Sequence, residues 1–123
     1  MVETVNRIVN IPTSETAVLV FTATNPGSAT AIGLNEADVR LICLANLDDT
    51  NFVQITIISE NGNECAHKLE AGHLIWIPVS AEGVVDVHDA SATALTVSFD
   101  DITSVTALAD TAACDLRVFV AGA

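Results

Sequence analysis

The chain has 123 residues, half of them apolar, with 16 Asp and Glu against 4 Lys and Arg for a formal net charge of −12. That length fits one domain burying roughly 65% of its extended-chain surface, so residues 1–123 are read as a single unit around one core. The charge excludes a phosphate-binding or anionic-lipid surface, because Arg7, Arg40, Lys68 and Arg117 are scattered along the chain and neutralising phosphates takes clustered cations; neither nucleic acid nor membrane is an expected partner.

The first ten residues, MVETVNRIVN, lack a basic segment leading into a long apolar run, and no later run approaches the ~20 residues that span a bilayer. This predicts a protein made and kept, or assembled, in the cytosol. Period-2 alternation between turn residues then predicts strands at 2–9, 17–24, 38–45, 51–59, 64–69, 73–79, 84–88, 93–99, 102–109 and 113–120. No helix is expected; the one helical hint, 34–38, is too short. In 51–59 the residues Val53, Ile55 and Ile57 share one face against Gln54 and Thr56. In 38–45 both faces are apolar, as in a strand lying inside a sandwich.

Turn residues separate the strands at the short spacing of a sandwich or barrel, among them Asn25-Pro26-Gly27, Asp48-Asp49, Ala71-Gly72 and Glu82-Gly83. Asn61-Gly62 suits a type I′ turn joining 51–59 to 64–69. The Gly-, Ala-, Ser- and Thr-rich stretch 24–35 reads as a long loop. The fold class is therefore all-β, an antiparallel, jelly-roll-like β-sandwich of about 8–10 short strands. Only Phe21, Phe52, Phe99, Phe119 and Trp76 are aromatic, so the core is expected to be Val, Ile, Leu and Ala.

Residues able to carry chemistry are few and unpatterned. Cys65 and His67 share a strand face, with His73 and His88 on neighbouring segments, but their spacing matches no zinc ligand signature, and surface histidines near strand ends are the expected outcome. Asp48-Asp49, Asp86, Asp89 and Asp100-Asp101 lack the alternating pattern of a calcium loop and read as turn caps. Ser59, Ser80, Ser91 and Cys65 sit in no nucleophile-elbow context. No enzyme, no metal and no cofactor is expected. Cys43, Cys65 and Cys114 are an odd number at irregular spacing, unlike a disulfide framework, and read as buried free thiols.

Three stretches, NLDDTNFVQI (46–55), KLEAGHLIWIP (68–78) and ITSVTALADTAACDLRVFVAG (102–122), carry a resemblance. A strand ending in Asn46 is followed by a turn with Asp48 and Thr50, then Asn51 and Phe52; Leu69, Ala71 and Gly72 form an L-x-A-G turn; Ala109 to Cys114 form the last hairpin. In these features the last two thirds of the chain resembles small structural proteins of tailed-bacteriophage virions. Members of such families are capsid decoration, or cement, proteins, and related sandwiches occur in tail or collar parts. The resemblance implies a structural protein that binds the major capsid protein on the outside of a phage head, assembled in the host cytoplasm. A homotrimer is expected from the threefold positions of a shell.

The contact residues expected are Val2, Val5 and Ile8 in the N-terminal segment, Pro26, Ile32 and Leu34 in or beside the 24–35 loop, and Trp76 in HLIWIPV. Residues 1–35 are the place for an arm or loop used in attachment. The alternative reading is a tail, collar or fibre component, or a small carbohydrate-binding β-module using Trp76.

Overall fold

The alternating segments become nine strands among the residues described in the computed structural model, namely 3–21, 32–34, 39–79, 84, 99 and 101–122. They are β1 (Glu3–Ile11), β2 (Thr16–Phe21), β3 (Ile32–Leu34), β4 (Val39–Asn46), β5 (Val53–Ser59), β6 (Glu64–Leu69), β7 (Leu74–Pro78), β8 (Ile102–Ala109) and β9 (Cys114–Gly122). A four-stranded sheet has the order β1-β9-β4-β7, and a five-stranded sheet the order β3-β2-β8-β5-β6. All pairings are antiparallel except β2 with β3.

The chain passes back and forth between the sheets, so that β1-β9-β4-β7 faces β2-β8-β5-β6 as two interlocked Greek keys. This is a jelly roll, with β3 added at the free edge of β2. The core between the sheets is aliphatic: Ile11, Leu19, Ile42, Leu44, Ile55 and Leu116 are among its fully buried side chains. β-branched and Leu side chains on facing pleats fill that space without aromatic bulk.

Two readings of the sequence are corrected. Residues 32–34, assigned to a loop, form the short parallel strand β3; three residues in a Gly- and Ala-rich stretch give no period to detect. At Asn61-Gly62 the hairpin is real but is not type I′, since Gly62 alone has positive φ (+81°) and no described non-glycine residue does. Gly62 N–H donates to Ser59 O (3.0 Å) and Ser59 N–H to Asn63 O (2.9 Å). That is a three-residue loop with glycine in the left-handed position, the bulged alternative to the two-residue turn. The strands expected at 84–88 and 93–99 lie, but for Val84 and Phe99, outside the described residues.

Candidate interaction face

Strand alternation places Ile11, Ile42, Leu116, Val118 and Ile77 on the inner side of the four-stranded sheet. The intervening residues form its outer side, and register aligns them into rows. Asn6, Phe119, Cys43 and Trp76 lie across the sheet in one row, flanked by Ile8, Arg117, Ala45 and Leu74 on one side and Thr4, Ala121, Leu41 and Pro78 on the other. An antiparallel sheet with one solvated face usually reads polar outward. Here β4 and β7 present only apolar side chains in these rows. Trp76 is 55% exposed, Leu74 55% and Ile8 53%, while Leu41, Cys43, Ala45 and Phe119 are half-buried beside them.

This face explains the doubly apolar segment 38–45. β4 is an inner strand of its sheet with one side in the core, and its other side forms the middle of the outer patch. Charge is nearly absent. Arg117 and Asp115 are the charged residues that β9 turns outward, and Asp115 accepts a hydrogen bond from Asn10 Nδ2 (3.1 Å). Burial lifts the Cys43 thiol above its ordinary pKa.

Of the expected contact residues, Ile8 and Trp76 lie on this face at opposite edge strands. Val5 does not: its position in β1 turns it inward, where it packs against the core, so it is unavailable for contact. Val2 and Pro26 lie outside the described residues, and Ile32 and Leu34 are placed only as parts of β3. The N-terminal segment is an edge strand paired with β9 from Glu3 opposite Gly122 to Ile11 opposite Cys114. Phe119, Leu41 and Cys43 lie outside the segments expected to make contact, whereas Leu74 belongs to the HLIWIPV strand. The signal for Phe119 is its place in the alternation LRVFVA, opposite in phase to the buried Leu116, Val118 and Val120.

Among the described residues, those considered for metal chemistry do not converge. Cys65 and His67 share one side of β6, opposite Ile57 and Ile55, and His73 precedes β7; all three are exposed. Among the described residues no three His, Cys, Asp or Glu side chains gather as a metal site. His88, Asp86, Asp89 and Asp100 lie outside the described residues. The thiols are all free, and the expectation of burial fails for Cys65. It sits on the edge strand β6, beyond the reach of the opposing sheet, whereas Cys114 is buried.

The turn residues that carry the phage resemblance meet at one end of the sandwich. Asn46, buried at the end of β4, donates through Nδ2 to Asn51 O (2.9 Å) and Leu69 O (3.1 Å), and its Oδ1 accepts from Asp48 N–H (3.0 Å). Its backbone carbonyl accepts from Gly72 N–H (3.0 Å), where Gly72 supplies the positive φ (+76°) of the 70–73 turn. Asp48 Oδ2 accepts from the N–H groups of Asn51 (2.6 Å) and Thr50 (3.0 Å); these bonds, Asn51 first, hold its pKa below the usual carboxylate value. Thr111 Oγ1 donates to Asn51 Oδ1 (2.7 Å). These residues thus have a structural task, tying β4 in one sheet to β5 and β6 in the other.

No family model and no curated protein matches the chain. A solved structure of similar shape comes from the Bacillus endospore appendages, described as a novel family of disulfide-linked pili; it has a TM-score of 0.55 and 12% identity, covering 99% of this chain and 86% of that one. At that identity the likeness is one of fold. It agrees with the sandwich read from the strand order.

Proposed function

We propose that this protein is a structural subunit that works by protein–protein contact, built into a larger assembly through the outer face of β1-β9-β4-β7. The observation that carries the reading is the apolar face around Trp76, Leu74 and Phe119, whose rows hold Arg117 as their one charged residue, on a chain of net charge −12. Contiguous exposed apolar surface on an otherwise polar protein marks a contact site, and among the described residues no group of three His, Cys, Asp or Glu that could hold a metal competes with it.

Within that class, the turn motifs at 46–52, 69–72 and 109–114 favour a capsid decoration protein that binds the major capsid protein on the exterior of a tailed-phage head. The acidic remainder suits an outward surface that does not trap nucleic acid. The test is to mix the protein with purified, undecorated heads and measure occupancy and thermal stability. Wild type is expected to bind at a fixed ratio and raise the disruption temperature, and Trp76→Glu to lose binding. Absence of binding by well-folded wild type removes the head reading.

A second reading, a tail, collar or fibre subunit, draws on the fold shared with a protein of disulfide-linked pili. Antibody labelling of particles in electron microscopy separates the two, head against tail. A sugar-binding module is disfavoured by the surroundings of Trp76: Cys43, Leu74 and Pro78 offer no hydrogen-bonding groups to orient a glycan.

A further inference from the structure

We propose that Asn61 is a site of slow self-modification, converted through a cyclic imide into aspartate and isoaspartate, and that the hydrogen bonds of the 59–63 hairpin loop set its rate. The loop belongs to the five-stranded sheet, so this chemistry is independent of the contact face on the other sheet.

The residue that follows selects the site. Of the asparagines, Asn61 alone precedes glycine; the others precede Arg, Ile, Pro, Glu, Leu or Phe. In the reaction the Gly62 nitrogen gives up its proton and attacks Asn61 Cγ, and the Cγ–Nδ2 bond breaks, so that ammonia leaves with that proton. Water then opens the imide at one of its two carbonyls. Cleavage of the bond from Cγ to nitrogen leaves aspartate; cleavage at the main-chain carbonyl leaves isoaspartate, whose backbone runs through Cβ and Cγ. A side chain on the following residue crowds the attacking nitrogen, and glycine has none. Asn61 and Gly62 are both exposed, so water reaches the ring.

The fold withholds that nitrogen. Gly62 N–H donates to Ser59 O (3.0 Å), and neither Glu60 nor Asn61 has positive φ, so residues 59–62 form a type I turn with Asn61 in its third position. There ψ is near 0°, which holds the Gly62 nitrogen roughly a third of a revolution away from the alignment with Cβ that a five-membered ring needs. The loop is closed further by Ser59 N–H donating to Asn63 O (2.9 Å) and Asn63 N–H to Ser59 Oγ (3.2 Å). It is tied to the start of β8 by Glu60 N–H donating to Asp101 O (2.9 Å) and Asp101 N–H to Glu60 Oε1 (3.3 Å). Ring closure therefore waits for the loop to open, and the rate of modification follows the open fraction.

The two products differ in consequence. Both place a new carboxylate between Glu60 and Glu64, but isoaspartate also adds a methylene to the main chain. The lengthened loop no longer brings Asn63 O onto Ser59 N–H. Among the described strands β6 is held in its sheet by β5 alone, so it is the strand that loses its closing turn. Aspartate adds the charge and leaves the loop its length.

The experiment ages the full-length protein in warm, mildly alkaline buffer and follows each asparagine by peptide mass spectrometry, with isoaspartate detected by enzymatic methylation. Conversion is expected at Asn61, roughly tenfold or more slower than in the same chain unfolded in guanidinium chloride. Glu60→Ala, an exposed substitution that removes the acceptor for Asp101 N–H, speeds conversion about fivefold, the factor of one hydrogen bond. Glu60→Gln, which keeps that acceptor, and Glu64→Ala, which removes a nearby carboxylate only, leave the rate within about twofold of wild type. Circular dichroism checks that each variant is folded. The isoaspartate form, separated by its added charge, melts below wild type, whereas Asn61→Asp melts with it. Equal conversion at another asparagine, a native rate as fast as the unfolded rate, or no acceleration by Glu60→Ala overturns the proposal, and an isoaspartate form as stable as wild type overturns the assigned effect on β6.

Discussion

The two outer sides of this sandwich are built from strands of similar length and follow opposite rules. On the five-stranded sheet, register aligns Gln54 with Lys68 and Leu108, and Thr56 with Ala66, Thr106 and Ala17. Polar groups thus recur across it, although Thr56 and Thr106 among them are buried. On the four-stranded sheet the equivalent rows run through Phe119, Cys43 and Trp76 or Ala45 and Leu74. Both sheets close the same core, so stability does not account for the difference. Among the described strands, the large hydrophobics left exposed, Ile8, Leu74 and Trp76, all lie on the four-stranded sheet.

The largest effect is expected at the tie that both sheets share. Asn46→Ala removes two side-chain hydrogen bonds joining β4 to Asn51 and Leu69 and a third accepted from Asp48 N–H, and leaves partners unsatisfied. Unfolding in urea should show a loss of about 3 kcal/mol, and calorimetry a melting temperature lower by roughly 10 °C. A loss within 0.5 kcal/mol would mean that the end of the sandwich is held by other contacts.

A smaller effect of opposite sign is expected on the polar side. Thr106 is buried and its Oγ1 has no hydrogen-bond partner among the described residues, so Thr106→Val exchanges an unsatisfied hydroxyl for a methyl of the same shape. Chemical denaturation should show a gain of about 1 kcal/mol; a loss would reveal a polar partner for that hydroxyl. On the apolar side, Trp76→Thr is expected to change stability by less than about 0.5 kcal/mol, because the indole is half in solvent. Its effect should appear instead as reduced retention on a hydrophobic column. A large destabilisation would make Trp76 a core residue and erase the contrast between the faces.

The smallest effect is pH-dependent and belongs to the turn at 46–52. Asp48 is held below the usual carboxylate pKa by the Asn51 and Thr50 N–H groups. A depressed carboxylate contributes stability that is fully present above its unfolded value of about 3.8 and is lost as pH falls through the lower folded value. Amide exchange at Thr50 and Asn51 should therefore stay protected from pH 7 to 4 and weaken below that, and Asp48→Ala should remove the acid-dependent part.

Much of the fold was legible because alternation is local. The segment 64–69 matches β6 at both ends, and the turns at Asp48-Asp49 and Ala71-Gly72 fall where Asp caps and a positive-φ glycine are needed. β3 was not legible, since three residues make no period. The candidate face was half legible. The doubly apolar 38–45 segment and HLIWIPV announced apolar residues beyond the core's needs, but their alignment with Phe119 depends on β9 lying beside β4. Local sequence does not encode that pairing, and without it Val5 and Ile8 looked equivalent. Their difference is one of pleat parity, fixed when Val5 pairs with the buried Val120.

The place of β9 also bears on how the protein is made. This strand lies between β1 and β4, so the four-stranded sheet has no middle until residues 114–122 have left the ribosome. Until then β1 has no ladder to join and β4 lacks its partner along one edge. Closure of so many distant pairings is slow, in the millisecond-to-second range typical of β-sandwiches. For that interval the nascent chain is at its most aggregation-prone, and the delay is set by the winding of the chain and not by the strength of any contact.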